Sequence, residues 1–351
     1  MGQSFALTII KPDDWHLHLR DGSMLGLALP HSARQFKRAI VMPNLVSPIT
    51  TVDSALAYKN RIIKALPRGL DFEPLMALYL TDETDKEHLR QGFHQKVFIG
   101  AKLYPAGATT NSAFGVTDVK NIYNVLGIME EIGMPLLVHG EVVGESIDIF
   151  DREAVFIEKV MIPLLQDFPN MKVVFEHLST ACGVDFISSS GPNVAATITA
   201  HHMMINRNSM FLGGLRPHMY CLPVVKREAD RLALRKAATS GSEKFFLGTD
   251  SAPHSVDAKE SACGCAGVFS AATALEFYMQ IFEEEDALEN FELFASIFGA
   301  NFYGLPVNKE LITIKRRKRR VPKKFVSGEG EVVIPFFSDE EIHWEIVNIS
   351  L

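Results

Sequence analysis

His16 and His18 are two positions apart in the sequence, a spacing at which two side chains could bind one metal ion. Both lie in a short stretch of alternating apolar and polar residues. Alternation with a period of two predicts a β-strand, so His16 and His18 should share one face, to which Arg20 adds a positive charge. The opposite face should carry the apolar side chains of Trp15, Leu17 and Leu19. A His-x-His pair alone is weak evidence, because most such pairs are ordinary surface or core residues.

Four further residues of metal-binding type follow short apolar stretches: Lys102, His139, His177 and Asp250. Each position has an ordinary alternative, since a histidine there is usually a hydrogen-bonded polar residue, an aspartate often caps a helix and a lysine often makes a salt bridge. If the stretches are parallel strands of one barrel, however, their carboxyl ends open on the same face and the six side chains converge. We therefore interpret them as a metal site.

Eight apolar stretches, separated by amphipathic segments, would form the strands that position these residues. Besides the stretch that contains His16, they are residues 39–42, 75–80, 97–101, 135–138, 172–175, 194–198 and 244–247. Continuously apolar strands are typical of a parallel sheet that is buried on both faces. Their alternation with helices predicts an α/β fold, a (β/α)8 or TIM barrel.

Three of the helices are clearly marked in the sequence. One should begin at an N-cap at Thr117 and end at Gly133, which suits the left-handed residue after a helix. A second should span residues 52–66. A third should run from about residue 151 to residue 166, and Pro163 should kink or end it.

Length and composition are those of a globular protein with a large core, since 47% of the 351 residues are hydrophobic and 22% are charged. No linker rich in Pro, Gly or Ser divides the chain, so we expect residues 1–351 to form one domain with a C-terminal extension from about residue 306. The net charge of −7 argues against a general nucleic-acid-binding protein. No apolar run approaches the roughly 18 residues that would span a membrane.

The N-terminal residues and the cysteines indicate a cytoplasmic protein. Residues 1–6 lack the basic and apolar regions of a signal peptide. They also lack a myristoylation signal, because Ala6 occupies the position that requires Ser or Thr. The cysteines form no Cys-x-x-Cys pair and no dense framework, so we expect free thiols in a reducing compartment. They are Cys182, Cys221, Cys263 and Cys265.

Three features fall outside the predicted site. The basic run of residues 315–320 is expected to be a solvated helix face or tail, and the alternative is a contact with nucleic acid or another polyanion. His201 and His202 follow the seventh strand and could bind metal adventitiously. Cys263 and Cys265 are separated by one residue and have no second pair that would complete a tetrahedral metal site. We therefore favour reactive thiols over a metal site at these two residues.

The strand-end motifs resemble those of the amidohydrolase superfamily and, within it, those of the compact, single-domain dihydroorotases. The motifs are residues 12–22, 41–45, 101–105, 136–141, 174–177, 214–218 and 247–254, and the similarity extends over about residues 10–306. The resemblance implies a barrel of the metal-dependent hydrolase type. Many relatives carry a β-sandwich built partly from residues before the first barrel strand. Only fifteen residues precede His16, so no separate sandwich domain is expected.

The resemblance implies two zinc ions per subunit. Their ligands would be His16, His18 and Asp250 for one ion, and His139 and His177 for the other. Lys102 would bridge the two ions as N6-carboxylysine. An unmodified lysine is a poor ligand, because its ammonium group has no lone pair and a pKa of about 10.4, whereas a carbamate offers two anionic oxygens. Two bridged zinc ions would activate a bridging hydroxide.

The implied activity is the reversible hydrolysis of L-dihydroorotate to N-carbamoyl-L-aspartate in de novo pyrimidine biosynthesis. The bridging hydroxide would attack the ring amide, with Asp250 as the general base. The residues implied in substrate binding are Arg20, Asn44 and His254 for the carboxylate, Thr109 and Thr110 in a loop that folds over the substrate, and Leu222 and Ala266 through their backbone. Arg20 suits its role because a guanidinium pairs with a carboxylate through two hydrogen bonds. On the residues alone, Asn44 could be a turn residue and His254 an ordinary loop residue.

Two alternatives stay open at the level of sequence. A related cyclic-amide hydrolase of the dihydropyrimidinase type would act on substrates without the carboxylate, and Arg20, Asn44 and His254 argue against it. A non-catalytic barrel or a polyanion-binding protein would have no use for Lys102 and Asp250. The resemblance also implies a homodimer that binds a small-molecule substrate and has no membrane or nucleic-acid partner.

Overall fold

The computed structural model describes residues 5–349, in which parallel strands surrounded by helices lie beside a small antiparallel sheet. Residues 1–4, on which part of the signal-peptide interpretation rests, lie outside the described residues. The strands are β1 (Ala6–Ile10), β2 (Asp14–Leu17), β3 (Arg38–Val41), β4 (Glu73–Tyr79), β5 (Phe98–Leu103), β6 (Leu136–Val138), β7 (Val173–Phe175), β8 (Val194–Ile198), β9 (Phe245–Leu247), β10 (Leu311–Arg320), β11 (Phe325–Val326), β12 (Val332–Val333) and β13 (Glu341–Ile349).

The helices surround the parallel strands. They are α1 (Gly22–Ala33), α2 (Val52–Ala65), α3 (Lys86–His94), α4 (Tyr123–Ile132), α5 (Arg152–Phe156), α6 (Ile162–Asp167), α7 (Ala181–Ser189), α8 (Ala200–Met204), α9 (Glu228–Thr239), α10 (Val256–Lys259), α11 (Ala274–Glu284) and α12 (Phe298–Phe302). Short 3-10 turns are Val119–Ile122, Arg207–Met210, Pro217–Met219, Ala271–Thr273 and Leu288–Asn290, and π-helical turns are Ile157–Met161 and Leu293–Ile297. None of the described helices is both long and apolar enough to cross a membrane.

Strands β2 to β9 form the barrel in chain order, each parallel to the next. The ring closes where the first strand meets the segment after the last one. There the Asp250 N–H donates to the His16 carbonyl at 2.9 Å, and the His18 N–H donates to the Ser251 carbonyl at 3.1 Å. The prediction of a (β/α)8 barrel is confirmed, and the closure brings the two ends of the predicted metal site together.

Two apolar layers hold the barrel. A small cluster in its interior takes one residue from most strands and is closed from below by α12 and Tyr303, while a larger cluster fills the space between strands and helices. Trp15 lies in the interior cluster and stacks on Tyr303 at 4.7 Å between ring centroids, whereas Leu17 and Leu19 lie in the outer layer. The prediction that all three share a face is therefore wrong. The pairing of β2 with β3 shifts register between Asp14 and Leu17, which breaks the strict alternation.

The predicted start of the first helix needs correction. Before α4, Asp118 caps a 3-10 turn by accepting from the Lys120 N–H, while Thr117 donates its hydroxyl to Asp82 instead of capping. Gly133 ends the helix in the left-handed region as predicted, with φ of 70°. Pro163 does not end its helix. The π-helical turn directly before it, in which the Ile162 N–H donates five residues back to Ile157, leaves room for the proline ring.

The C-terminal extension packs as a sheet outside the barrel. Strands β1, β10 and β13 are antiparallel in that spatial order, so residues 6–10 pair with the extension. Ile312, Ile314 and Trp344 are buried in the main core, and the Trp344 indole donates to Glu283 of α11 at 3.0 Å. The basic run is thus part of strand β10, and its prediction as a helix face or tail is wrong. The alternation of buried isoleucines with polar residues, which begins at Ile312, sets the strand period.

Candidate active site

His16 and His18 lie side by side at the mouth of the barrel. Their Nε2 atoms are 3.2 Å apart, and Asp250 Oδ1 lies 3.2 Å from the first and 3.1 Å from the second. Asp250 directly follows Thr249, which is tied to β2 by two hydrogen bonds to Asp14. The φ of Asp250 is 44°, a left-handed conformation that a non-glycine residue adopts only when its surroundings hold it there.

His139 and His177 form the other half of the mouth. His139 Nδ1 lies 3.2 Å from His177 Nε2, and the rings of His177 and His16 are 5.0 Å apart. His177 also has a positive φ of 44°, and its N–H donates to the Thr197 hydroxyl at 2.8 Å. The two histidine pairs therefore adjoin, as a site for two neighbouring ions would require.

Lys102 lies beneath these rings, fully buried at the end of β5. Its ammonium pairs with the carboxylate of Glu176, which is also fully buried and whose other oxygen lies 3.0 Å from His16 Nδ1. Burial lowers the pKa of Lys102, and the charge of Glu176 opposes that shift. Lys102 is thus linked to His16 through Glu176, and its charge contributes to the lowered pKa of His177.

Two buried carboxylates favour positive charge at His16. Burial alone would lower the pKa of His16, yet the carboxylates of Glu176 and Asp250 outweigh it and raise the pKa to about 9. Burial would likewise raise the pKa of Asp250, but His16 and His18 hold it well below its usual range. At two other rings burial prevails: it lowers the pKa of His18 to about 4 and holds the pKa of His177 well below its usual range, and a neutral imidazole is the form that binds metal.

Sequence reasoning missed two carboxylates that orient the histidines. Glu176 faces His16, and Glu141 Oε2 lies 2.8 Å from His139 Nε2; both carboxylates are fully buried. A carboxylate on one ring nitrogen fixes the proton there and leaves the other nitrogen free for a metal. Each acid stands within two residues of a predicted ligand, Glu176 before His177 and Glu141 after His139, and that proximity is the available sequence signal.

Tyr104 and Lys259 are further residues of the site that the sequence reading passed over. Tyr104 lines the cavity, and its buried hydroxyl has no hydrogen-bond partner among the described residues. Lys259 donates from Nζ to the carbonyls of Tyr220, Cys265 and Gly267 at 2.9, 2.8 and 2.8 Å. It thereby ties the loop that contains Ala266 to the segment before Leu222.

Arg20 and His254 form a basic pair on the opposite wall. Arg20 Nη2 lies 2.9 Å from His254 Nε2, and Arg20 Nε donates to the Pro253 carbonyl at 3.2 Å. Burial and then the charge of Arg20 lower the pKa of His254 to about 2, so its imidazole is neutral. Arg20 presents one fixed positive charge to the cavity, with the neutral ring of His254 next to its guanidinium, which suits a carboxylate ligand.

The loop of residues 105–112 lies over the mouth and is held there by hydrogen bonds. The Asn44 amide donates to the Thr110 carbonyl at 3.0 Å, and the Asn111 amide donates back to the Asn44 carbonyl at 3.0 Å. On the far side, the Thr110 hydroxyl donates to the Ala266 carbonyl at 3.3 Å. Thr109 stays within the loop, where its N–H donates to Ser112.

All but two of the predicted site residues line one cavity. The lining residues are His16, His18, Arg20, Asn44, Tyr104, Thr109, Thr110, His139, His177, Leu222, Asp250, Ala252, Ala266 and Gly267. The two exceptions are Lys102, which lies below the floor, and His254, which stands behind Arg20. The cavity has a volume of about 20 Å³, room for about one water molecule, because the loop is closed over it.

The donor set fits a divalent metal site. Imidazole nitrogens and carboxylate oxygens are common zinc ligands, and ligand atoms of His16, His177 and Asp250 lie within 4.8 Å of one another. The side-chain nitrogens of His18 and His139 extend the cluster on either side. The arrangement can hold metal, position a carboxylate and exclude bulk water, which are the requirements for metal-assisted hydrolysis of a small anionic substrate.

In sequence and in structure, this chain is similar to the same group of known proteins. The model of the amidohydrolase family matches residues 8–317. Dihydroorotase from Sphingopyxis alaskensis is 57% identical over 341 residues, which cover 97% of this chain and 99% of that protein. The crystal structure of dihydroorotase from Saccharomyces cerevisiae in complex with 5-fluoroorotic acid is 33% identical, with a TM-score of 0.91 over 99% of this chain and 100% of that one. Dihydroorotase from Campylobacter jejuni is 35% identical, with a TM-score of 0.90 and 99% of both chains covered.

Proposed function

The chain belongs to the amidohydrolase family and, within it, to the dihydroorotases, and on this premise we propose how its barrel mouth hydrolyses L-dihydroorotate reversibly to N-carbamoyl-L-aspartate. One observation carries the proposal for the site: a cluster of buried metal-type ligands shares a single closed cavity with Arg20. A dihydropyrimidinase-like activity, the alternative, is not favoured, because the full-length likeness is to dihydroorotases.

We infer that the site binds two zinc ions. His16, His18 and Asp250 would hold one, His139 and His177 the other, and Lys102 would bridge them as a carbamate. The position of Glu176 supports this assignment, since its oxygens face both His16 and the Lys102 nitrogen. The N–H that remains on a carbamate nitrogen could donate to the same carboxylate that now pairs with the ammonium. When bound, zinc ions supply a nucleophilic water at neutral pH and polarise the amide carbonyl.

The residues of the chain supply the proton transfer and the positioning. Asp250, whose buried carboxylate stays ionised between two histidines, would take the proton of the attacking water and return it to the leaving amide nitrogen. Arg20, Asn44 and His254 would bind the substrate carboxylate. Leu222 and Ala266 would contact the ring through their backbone, and Thr109 and Thr110 would close over it.

The loop must open in each catalytic cycle. A cavity of about 20 Å³ admits a water molecule but no dihydroorotate ring, so the closed conformation described here would exclude the substrate. Opening would break the hydrogen bonds of Thr110 to Asn44 and Ala266 and that of Asn111 to Asn44. A closing loop of this kind shields the reaction from bulk water.

We further infer a cytoplasmic homodimer built from one domain per chain. The barrel and the C-terminal sheet share a single main core, which supports one domain. Phe211, Leu212 and Leu215 expose 59%, 73% and 77% of their surface in one loop, an apolar surface that a second copy could cover. The four cysteines are free, as in a reducing compartment. Sedimentation of wild type and Leu215→Asp, and fractionation of cells, test these inferences.

The decisive experiment measures zinc content and dihydroorotate turnover on the same purified sample. Turnover with at least two zinc ions per chain supports the proposal, whereas less than one zinc per chain together with no turnover contradicts it. The variant Lys102→Ala should lose both zinc and activity, and acetate or propionate, which fit the space left by the lysine stem, should restore part of the activity. A lysine that made only a salt bridge would show neither the metal loss nor the rescue.

A further inference from the structure

We propose that His201, His202 and Cys221 form an additional zinc site, separate from the active-site centre and independent of whether that centre binds two ions. Within residues 5–349, two groups of side chains have ligand atoms that all lie within 4.8 Å of one another, and this is the one outside the active site. The three residues are almost completely buried, with exposed fractions of 0%, 2% and 1%. Helix α8 supplies the two histidines, and the segment before the 222–223 peptide bond supplies the thiol.

The environment of His201 indicates that a ligand binds there. Both of its ring nitrogens are buried, and neither has a hydrogen-bond partner among the described residues. A buried polar group without a partner destabilises the folded state, so such groups usually bind a water molecule or an ion. Its ring lies 4.7 Å from that of His202, and on another side 6.2 Å from the apolar ring of Phe336.

His202 and Cys221 converge on one point. His202 Nε2 lies 2.9 Å and Cys221 Sγ 3.2 Å from the Pro223 carbonyl oxygen, and the nitrogen and sulfur are 4.0 Å apart. A zinc ion bound there would replace the thiol proton, which is released, and would use the Nε2 lone pair once the imidazole proton has moved to Nδ1. The Thr199 oxygen, 2.7 Å from Nδ1, would accept that proton in a hydrogen bond and orient the ring.

The ligand set is that of a structural zinc site. One thiolate and two imidazoles leave a fourth position for a water molecule or the Pro223 carbonyl, and burial closes the site to exchange. Burial raises the pKa of the Cys221 thiol to about 12, Asp250 and Glu141 add to the shift, and Lys259 and Lys226 oppose it. The thiolate would therefore form only when the ion binds, and its charge would reduce the net charge that the ion adds. Bound zinc would join α8 to the segment that precedes Leu222, a residue of the active-site wall.

The thiolate gives the site its own spectroscopic signature. The active-site ligands are nitrogen and oxygen atoms, so a thiolate-to-metal charge-transfer band in the cobalt-substituted holoenzyme reports only on cysteine coordination. We expect this band in the wild type and one metal equivalent beyond the active-site content. Both should disappear in Cys221→Ser and in His201→Gln, of which the second keeps the thiol and serves if the first fails to fold.

A matched control separates this site from two of the three other thiols. The variant with Cys263→Ser and Cys265→Ser removes two thiols outside the cluster and should keep both the band and the extra equivalent. Zinc should also raise the melting temperature of the wild type more than that of His201→Gln, since an ion that binds only the folded state stabilises it. Absence of the band in wild type, its survival in His201→Gln, or its loss in the control variant would each overturn the assignment.

Discussion

Charged side chains at the barrel mouth and on strand β10 are arranged in opposite ways. At the mouth, Lys102, Glu176 and Asp250 are buried; Lys102 pairs with Glu176, and both carboxylates lie against histidines. On β10, Arg317, Lys318 and Arg320 have side chains that are 68%, 72% and 67% exposed. Each of these three cations lies near a carboxylate, with Glu345, Glu341 and Asp339 as the respective partners.

The difference shows which group of charges needs a functional explanation. Burying an ion costs several kcal/mol, and a buried pair often stabilises a protein no better than apolar residues would. The charges of the mouth are therefore better explained by binding and catalysis than by stability. Exposed pairs contribute little and need no such explanation. Because the basic strand carries its own counter-ions, it offers little free positive charge to a nucleic acid, although the sequence shows an uninterrupted basic run.

The largest effect should come from removing the proton acceptor at the mouth. Asp250→Asn keeps an oxygen that can coordinate metal but has no carboxylate to take the proton, so kcat should fall roughly 10²- to 10⁴-fold. The measurement is kcat with metal content determined on the same sample. A near-normal rate, with the acidic limb of the pH profile intact, would show that another group accepts the proton.

The next effect concerns the substrate side of the same mouth. Arg20→Lys keeps the charge and loses the bidentate guanidinium. The transition state should therefore lose about 1.5–3 kcal/mol of stabilisation, measured as a lower kcat/KM, with metal content unchanged. Arg61→Lys is the matched control, because Arg61 pairs with Asp21 at 2.8 Å and does not line the active-site cavity. Equal activity of the two variants would place the carboxylate elsewhere.

Much of the barrel was predictable because the sequence of a buried parallel strand is a continuous apolar stretch. The ligand-type residues were predictable for a related reason: a polar residue that directly follows such a stretch lies at the open end of the barrel. Trp15 was misplaced because a register shift in a four-residue strand leaves no trace in the sequence pattern. The sheet of β1, β10 and β13 was missed because it joins segments about three hundred residues apart, and local patterns do not specify such pairings.

Glu176 and Glu141 show a second limit of sequence reading. Next to a histidine, an acidic residue that faces the barrel interior looks the same as one that faces solvent, and only the strand geometry distinguishes them. Their burial behind the ligands became visible only in the folded chain. The Lys102 position was ambiguous for the same reason, since a salt bridge and a bridging carbamate use the same residue.

The carboxylates behind the histidines should have an intermediate effect. In Glu176→Gln an NH2 group replaces one carboxylate oxygen, so either His16 or Lys102 loses its acceptor. Metal binding or activity should weaken roughly 10- to 100-fold. Glu141→Gln, which disturbs only His139, is the comparison. Metal affinity and the bicarbonate concentration needed for full activity should both change in Glu176→Gln, whereas Glu141→Gln should change affinity alone. Identical behaviour of the two variants would show that Glu176 has no special role toward Lys102.

The smallest effect should separate two neighbouring residues of the basic strand. Arg319 donates to Glu276 at 2.6 Å, and that carboxylate is fully buried, whereas Lys318 pairs with the exposed Glu341. Arg319→Gln leaves a buried charge with only the more distant Arg34, at 3.7 Å, and should lower the free energy of unfolding by about 1–3 kcal/mol. Lys318→Gln should leave it unchanged within error, at low and at high salt. Urea unfolding of both variants measures the difference, and equal losses would show that exposure does not decide which charges of this molecule matter.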